Sequence, residues 1–169
     1  GDDVNKADRE IPSDLPRVDF FHWLLVDLPP TVTQIAEGEY SRGFTPRGKP
    51  GPAAAHGARQ GLNDYTGWFA GDAERAGNYF GYDGPFPPFN DSLVHHYVFT
   101  LYALAVARVP LEGHFTGAQA RQAIERKNLQ NAERAVVEAE KLAADDAQVK
   151  AVRAELEAAK KAAPPPRRP

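Results

Sequence analysis

The chain of 169 residues contains no cysteine and no methionine. Without cysteine there are no disulfide bonds, no thiolate catalysis and no cysteine-ligated metal sites. No apolar run approaches the ~18 residues of a membrane-spanning helix, and no signal peptide is visible. We therefore predict a cytoplasmic protein without a transmembrane segment, with the periplasm as the alternative because the natural start can lie upstream of Gly1. The net charge of −3 gives no sign of nucleic-acid binding.

Aromatic residues and glycine are missing from the last third of the chain. All 17 aromatic residues lie at or before Phe115, and the last of the 14 glycines is Gly117. Residues 1–120 have a net charge of −6, and residues 121–169 a net charge of +3. We therefore predict that a folded aromatic core ends near residue 117 and that a different kind of structure follows.

The last third is rich in helix formers. Alanine, glutamate, lysine and arginine dominate residues 126–163, and the apolar positions form a narrow stripe. The pattern predicts one kinked helix or two, with Asp145 or Asp146 capping the second. So thin a stripe predicts packing on a protein partner or a second copy through residues 121–163. The Pro/Arg run at 164–169 predicts a disordered tail.

Two apolar stretches predict buried β-strands, Val18–Leu28 and Val94–Val106. His22 is a polar group inside the first, so it needs a hydrogen-bond partner or a ligand. A stiff turn precedes the second: it contains Gly84 and three prolines that restrict the backbone, Pro85, Pro87 and Pro88. A rigid loop that brings polar groups to the end of a buried strand is a common way to build a binding site.

The second stretch contains His95, His96 and Tyr97. Because side chains alternate along a strand, His95 and Tyr97 share a face and His96 points the other way. This geometry disfavours a two-histidine metal chelate, and we predict no metal site. We interpret His22, His95 and Tyr97 as donors to an anion. The alternative is that both histidines are core residues satisfied by hydrogen bonds.

The nearby carboxylates and one glycine-rich loop are further candidate sites. We predict that Asp72 and Asp91 cap turns, whereas Asp83 stays open as an acid, a base or a group that orients a histidine. Gly43, Gly48 and Lys49 have the spacing of a phosphate-binding loop. The proline that follows Lys49 stands where such a loop needs Ser or Thr, which argues against a nucleotide site.

Several segments together resemble the phosphatidylethanolamine-binding protein family, in its bacterial, Raf-kinase-inhibitor-like branch. They are His22-Trp23, Arg59 to Tyr65, Tyr79 to Pro85, the Gly84 to Pro88 turn and His95 to Tyr97. The resemblance covers about residues 1–125, which gives a family-like domain at 1–125, a helical extension at 126–163 and a tail at 164–169. It implies a mainly β fold, an antiparallel β-sandwich with peripheral helices, here followed by one or two C-terminal helices.

The resemblance also implies a small pocket for phosphate-like anions at one end of the sheet. By motif position and the shared turn, its candidate residues are His22, Asp83, Gly84, Pro85, Pro87, Pro88, His95 and Tyr97. Family members carry an Asp-Pro-Asp segment before the region where this chain starts, and an aspartate from it belongs to the pocket. Phe86 and Phe89 also depart from the family pattern. We therefore expect an incomplete sandwich and a pocket open on one side.

Three functions are compatible with these features. The first is a binding or regulatory module for a phosphate-like anion or phosphorylated small molecule, including kinase or protease inhibition. The second is a weak hydrolase using a His/Asp pair. The third is an interaction protein with a degenerate pocket that acts through its helical tail. We favour the first, and assign no catalytic residue, metal ligand or cofactor.

Overall fold

The computed structural model describes residues 3–41, 45–143 and 145–162. The chain divides into two compact units, Gly1–Gly117 and Ala118–Pro169. Gly43 and the tail at 164–169 lie outside the described residues. The domain boundaries at 125/126 and 163/164 stay predictions.

The first unit contains two small sheets. β1 (Leu25–Val26) and β3 (Arg59–Gln60) pair antiparallel, with Leu25 opposite Gln60. β2 (Gly48–Lys49) and β4 (Asn78–Tyr79) pair parallel. A short 3-10 turn, Ala55–Gly57, precedes β3, and one short helix, α1 (Tyr65–Trp68), lies between β3 and β4. Two two-stranded sheets are not a sandwich, so the antiparallel β-sandwich stays a prediction.

An aromatic core holds these short elements together. Tyr79 and Phe115 are fully buried. Isolated bridges join Leu62 to both Phe80 and Thr116. Gly61 lies so close to Phe115 that a Cβ there would meet its ring at 2.6 Å. Aromatic burial rather than strand pairing therefore provides most of the cohesion in this unit.

A buried guanidinium connects the β1–β3 sheet to the chain after residue 108. Arg59 Nε donates to Asp27 Oδ2 at 2.5 Å, and its Nη2 donates to the Val109 carbonyl at 2.8 Å. Its Nη1 donates to the Leu111 carbonyl. The second oxygen of Asp27 accepts from the Val109 amide at 2.7 Å. Because both charged side chains are almost inaccessible to water, each depends on the other for compensation.

The two predicted buried strands need correction. Within Val18–Leu28 only Leu25–Val26 pairs, and Val18 is 87% exposed. The prediction of a central strand over Val94–Val106 is wrong for the described structure, because this segment is unpaired and Leu101 is 92% exposed. Apolar composition favours burial, but no strand among the described residues pairs with this segment. Its ring contacts, Tyr97 with His22 and Phe99 with Tyr82, leave most of its apolar side chains exposed.

Two helices form the second unit, which answers the question of one helix or two. α2 spans Gly117–Ala143 and α3 spans Ala147–Ala162. Asp146 Oδ1 accepts from the amide of Gln148 at 2.8 Å, so Asp146 caps α3 as one of the two predicted candidates. The helical tail is thus confirmed. Within the described ranges, no helix is both long and apolar enough to cross a membrane.

An antiparallel hairpin is indicated by two ion pairs between these helices. Arg153 Nε donates to Glu140 at 2.8 Å, and Lys160 Nζ donates to Glu133 at 2.9 Å. The later residue of α3 pairs with the earlier residue of α2, as antiparallel helices require. Val136 and Leu156 are the stripe residues that become buried. Association with a partner through residues 121–163 stays a prediction.

We expect Arg59→Met to lower the free energy of unfolding by roughly 3–5 kcal/mol, because the substitution leaves the Asp27 carboxylate buried without its partner. Urea unfolding of the whole chain measures the change. The control is Arg9→Met, which removes an exposed guanidinium paired with Asp8 and should leave the urea midpoint nearly unchanged. Equal urea midpoints for the two variants would contradict the stabilising role of the Arg59–Asp27 pair.

Candidate functional site

The centre of the candidate site is the contact between His22 and the turn at Asp83. His22 Nδ1 lies 2.5 Å from the main-chain oxygen of Asp83, and the Asp83 amide donates back to the His22 carbonyl at 3.2 Å. The next residue must be small: a Cβ on Gly84 would lie 2.7 Å from His22 Nδ1. Glycine at position 84 therefore lets the turn approach the imidazole ring closely.

This contact decides which nitrogen of His22 carries the proton. A carbonyl oxygen can only accept, so Nδ1 must be the donor. Nε2 is then the nitrogen that can meet a ligand, as an acceptor in the neutral ring and as a donor in the charged ring. A histidine inside an apolar stretch thus has the hydrogen-bond partner that its burial requires.

Aromatic side chains surround the imidazole. The ring of Tyr97 lies 5.2 Å from that of His22, and the ring of Tyr65 lies 5.5 Å away in an edge-on arrangement. Phe20 packs at 4.9 Å from His22 and continues the cluster toward Trp68. The hydroxyl of Tyr97 accepts from the Phe86 amide at 3.2 Å and keeps its own proton to donate.

The Tyr65 hydroxyl stays protonated well above neutral pH. Burial raises the pKa of Tyr65 to about 12, and the nearby Tyr97 and the negative charge of Asp83 add to the effect. The Tyr65 hydroxyl is therefore neutral at physiological pH and is unsuited to be a nucleophile there.

Two side chains that the sequence did not single out for this site support the turn. Lys49 Nζ donates to Asp83 Oδ1 at 2.6 Å and to the Tyr82 carbonyl at 3.0 Å. Asn63 Nδ2 donates to Asp83 Oδ2 at 2.8 Å and to the Gly81 carbonyl at 3.0 Å. The carboxylate of Asp83 is thus engaged on both oxygens and is not available as an acid or base.

His95 lies in a different set of contacts from the one predicted. Its Nε2 donates to Asp91 Oδ2 at 2.9 Å, and the other oxygen of Asp91 accepts from Arg17 at 3.1 Å. The hydrogen bond from His95 lowers the pKa of Asp91, with a smaller contribution from the Leu93 amide and the charge of Arg17. No contact among the described residues joins His95 to His22, so the two histidines do not form one set.

The remaining predicted residues divide between these two places. Pro85 follows Gly84 directly and lies at the His22 side of the turn. Pro88 lies toward His95, since its carbonyl accepts from the Asp91 amide at 3.3 Å. Pro87 lies between them, and no specific contact places it in either set. Of the eight candidates, His22, Asp83, Gly84 and Tyr97 come together, with Pro85 as their neighbour.

The two carboxylates predicted to cap turns do so. Asp72 Oδ1 accepts from the amides of Glu74 and Arg75 at 2.9 and 3.0 Å. Asp91 Oδ1 accepts from the amide of Leu93 at 3.1 Å. Asp91 has the further partners described above, which the sequence pattern did not reveal.

Open clefts lie elsewhere on the surface. One of about 350 Å³ lies between the N-terminal segment and the turn, and its lining includes Lys6, Arg9, Phe89 and Asn90. Another, of about 490 Å³, runs along α2 between charged side chains. Neither is lined by His22 or Tyr97. The described residues contain no group of three or more acidic or histidine side chains arranged to hold a metal ion.

Comparison with known proteins decides the family. The model of the phosphatidylethanolamine-binding protein family matches residues 5–138. The chain belongs to this family. It is similar to the UPF0098 protein YbcL of Escherichia coli (strain K12), with 30% identity over 99 residues, 59% of this chain and 43% of YbcL. The chain thus spans less than half the length of this curated relative. No solved structure matches it with significance.

For this member of the phosphatidylethanolamine-binding protein family, sequence reasoning missed Tyr65, Lys49 and Asn63 as parts of the site. Tyr65 and Asn63 lie in the segment Asn63-Asp64-Tyr65, which is part of the resemblance to the family. That resemblance was the signal that could have found them. Asn63 Oδ1 accepts from the Tyr65 amide at 3.1 Å and so links this segment to the helix α1. Lys49 carried no such signal, because it contacts Asp83 across 34 residues of sequence.

We expect the unmodified chain to contain a tyrosine that ionises near pH 12. This component should be absent from Tyr65→Phe. Tyrosinate absorbance during an alkaline titration measures it. Since the raised pKa favours the protonated form in the folded state, the stabilising contribution of Tyr65 is full below pH 10 and is lost as pH rises toward 12. Tyr102→Phe, a half-exposed tyrosine outside this cluster, is the control and should leave that component in place. An unchanged titration of Tyr65→Phe would contradict the assignment.

Proposed function

We propose that this chain is a binding module for a small phosphate-like anion, and that His22, Tyr65 and Tyr97 above the Asp83–Gly84 turn form its anion pocket. The observation that carries the proposal is the fixed imidazole: Nδ1 is held by the Asp83 carbonyl, and Nε2 remains for a ligand. The ring centroids of Tyr65 and Tyr97 lie 5.5 and 5.2 Å from that of His22. A few convergent donors on an aromatic lining are typical of small-molecule sites.

Among the described residues around the pocket, His22 is the group proposed to supply positive charge. Lys49 is close by, but the Asp83 carboxylate at 2.6 Å neutralises it. A protonated His22 adds one positive charge and one donor, which together match an oxyanion. The name of the matching family refers to a phospholipid with a phosphodiester head group. A phosphodiester is an oxyanion of the kind proposed here. A regulatory role, including inhibition of a kinase or a protease, would act through this site and belongs to the same proposal.

Inorganic phosphate should raise the melting temperature of the whole chain. At ten times its dissociation constant, a ligand adds about 1.4 kcal/mol of stability, which corresponds to roughly 3–6 °C for a chain of this size. His22→Ala should abolish the shift because it removes the positive charge. The control is His96→Ala, which removes an exposed histidine. No shift at millimolar phosphate, or an equal loss in both variants, would refute the anion pocket.

The Asp91–His95 pair favours weak hydrolysis as a second candidate function. The Asp91 side chain is 2% exposed and the His95 side chain 31% exposed, the arrangement of a base oriented by a buried carboxylate. Hydrolysis of bis(p-nitrophenyl) phosphate that disappears in His95→Ala and survives in His22→Ala would assign an activity to this pair. Absence of turnover in the unmodified chain would dismiss it.

A further inference from the structure

We infer that Lys49 and Asn63 are positioning residues of the anion pocket: through Asp83 they hold His22 in the form protonated on Nδ1. The inference rests on the proposed function for its ligand. The protonation form of His22, however, is a property of the unliganded protein and can be measured without phosphate. The two ideas can therefore fail separately.

The first support is the ion pair between Lys49 and Asp83. The atoms that bond are 2.6 Å apart, and the side chains are only 12% and 14% exposed. Salt and water screen such a pair less than a surface pair. Lys49 also donates to the Tyr82 carbonyl at 3.0 Å. One ammonium group therefore restrains both the side chain of Asp83 and the peptide before it.

The second support is Asn63, whose side chain is fully buried and fully used. Its amide nitrogen has two protons, and these go to Asp83 Oδ2 and the Gly81 carbonyl. Its oxygen accepts from the Tyr65 amide. Asn63 thus ties the turn on one side of His22 to the helix that carries Tyr65 on the other.

Together the two side chains restrain three consecutive residues, 81 to 83, from outside the turn. The Asp83 carbonyl has little freedom to rotate while its carboxylate is bonded on both oxygens. That carbonyl is the acceptor for His22 Nδ1, so its direction decides which ring nitrogen is protonated. A ligand-binding histidine is commonly oriented by a partner on its second nitrogen, and here a main-chain group held by Lys49 and Asn63 has that role.

Lys49 acts through Asp83 rather than as a ligand itself. Its charge is already compensated, and both its described hydrogen bonds go to the turn. This separates the inference from the phosphate-loop interpretation of Gly48-Lys49, in which the lysine would bind phosphate directly. The two roles predict different results for one substitution.

The experiment measures the 15N shifts of the His22 ring in the whole chain at pH 8, where an imidazole is mostly neutral. The unmodified chain should show the proton on Nδ1. Lys49→Met should give a mixture of the two neutral forms, and Lys49→Arg should restore the single form because it keeps the cation. Asp83→Asn, which keeps the shape of the side chain, should shift the population in the same direction as Lys49→Met. Lys6→Met is the control for loss of an exposed lysine.

Phosphate affinity is measured on the same variants. Lys49→Met should weaken phosphate affinity roughly five- to tenfold. This is the effect expected when one charge-assisted hydrogen bond that supports the site indirectly is lost. Lys49→Arg should recover most of the loss. If Lys49→Met abolishes phosphate binding while the His22 ring stays protonated on Nδ1, Lys49 is a direct ligand and the positioning role is overturned.

An unchanged His22 ring in both Lys49→Met and Asp83→Asn, with folding verified by the dispersion of the amide spectrum, would also overturn it. If the ring responds as expected but the unmodified chain binds no phosphate, the positioning role stands and the anion pocket fails.

Discussion

A buried guanidinium and a buried carboxylate fix how the β1–β3 sheet meets the chain at residues 109–111. Arg59 lies in β3, Asp27 directly follows β1, and both bond to main-chain groups of that segment. The sheets have only two strands each, so strand pairing contributes little on its own. The ion pair and its hydrogen bonds to main-chain groups replace the missing ladder. They also keep β3 in place, and the chain from β3 runs directly into Asn63 and Tyr65.

The proposed anion pocket repeats this design on a smaller scale. Asp83 is bonded by Lys49 and Asn63, as Asp27 is bonded by Arg59, and in each case a cation and a carboxylate bond to main-chain groups nearby. In the inferred role, Lys49 and Asn63 act on His22 through the direction of the Asp83 carbonyl. In this interpretation His22 and the tyrosines contact the ligand. The buried polar groups Lys49, Asn63 and Asp83 fix the geometry of the site.

The Val94–Val106 segment shows how a sound composition argument can lead to a wrong structure. Its valines, phenylalanine and tyrosines are typical of a buried strand, yet Val98 is 80% exposed and the segment is unpaired. Composition expresses a preference for burial, whereas a strand also needs neighbours that accept its hydrogen bonds. The same absence of pairing separates His95 from His22, because their predicted proximity depended on adjacent strands.

The sequence by itself determined the family, the end of the aromatic core near residue 117 and the helical extension, and it put forward His22 and a glycine–proline turn as candidates for one site. These follow from local composition, spacing and a set of short motifs, all of which are readable along the chain. Only the tertiary structure decided that Asp83 is engaged by Lys49 and Asn63, that Tyr65 joins the site and that His95 pairs with Asp91. Those contacts, apart from the short His95–Asp91 link, join residues 20 to 43 positions apart. Geometry at that range depends on how the whole unit packs, so no local pattern encodes it.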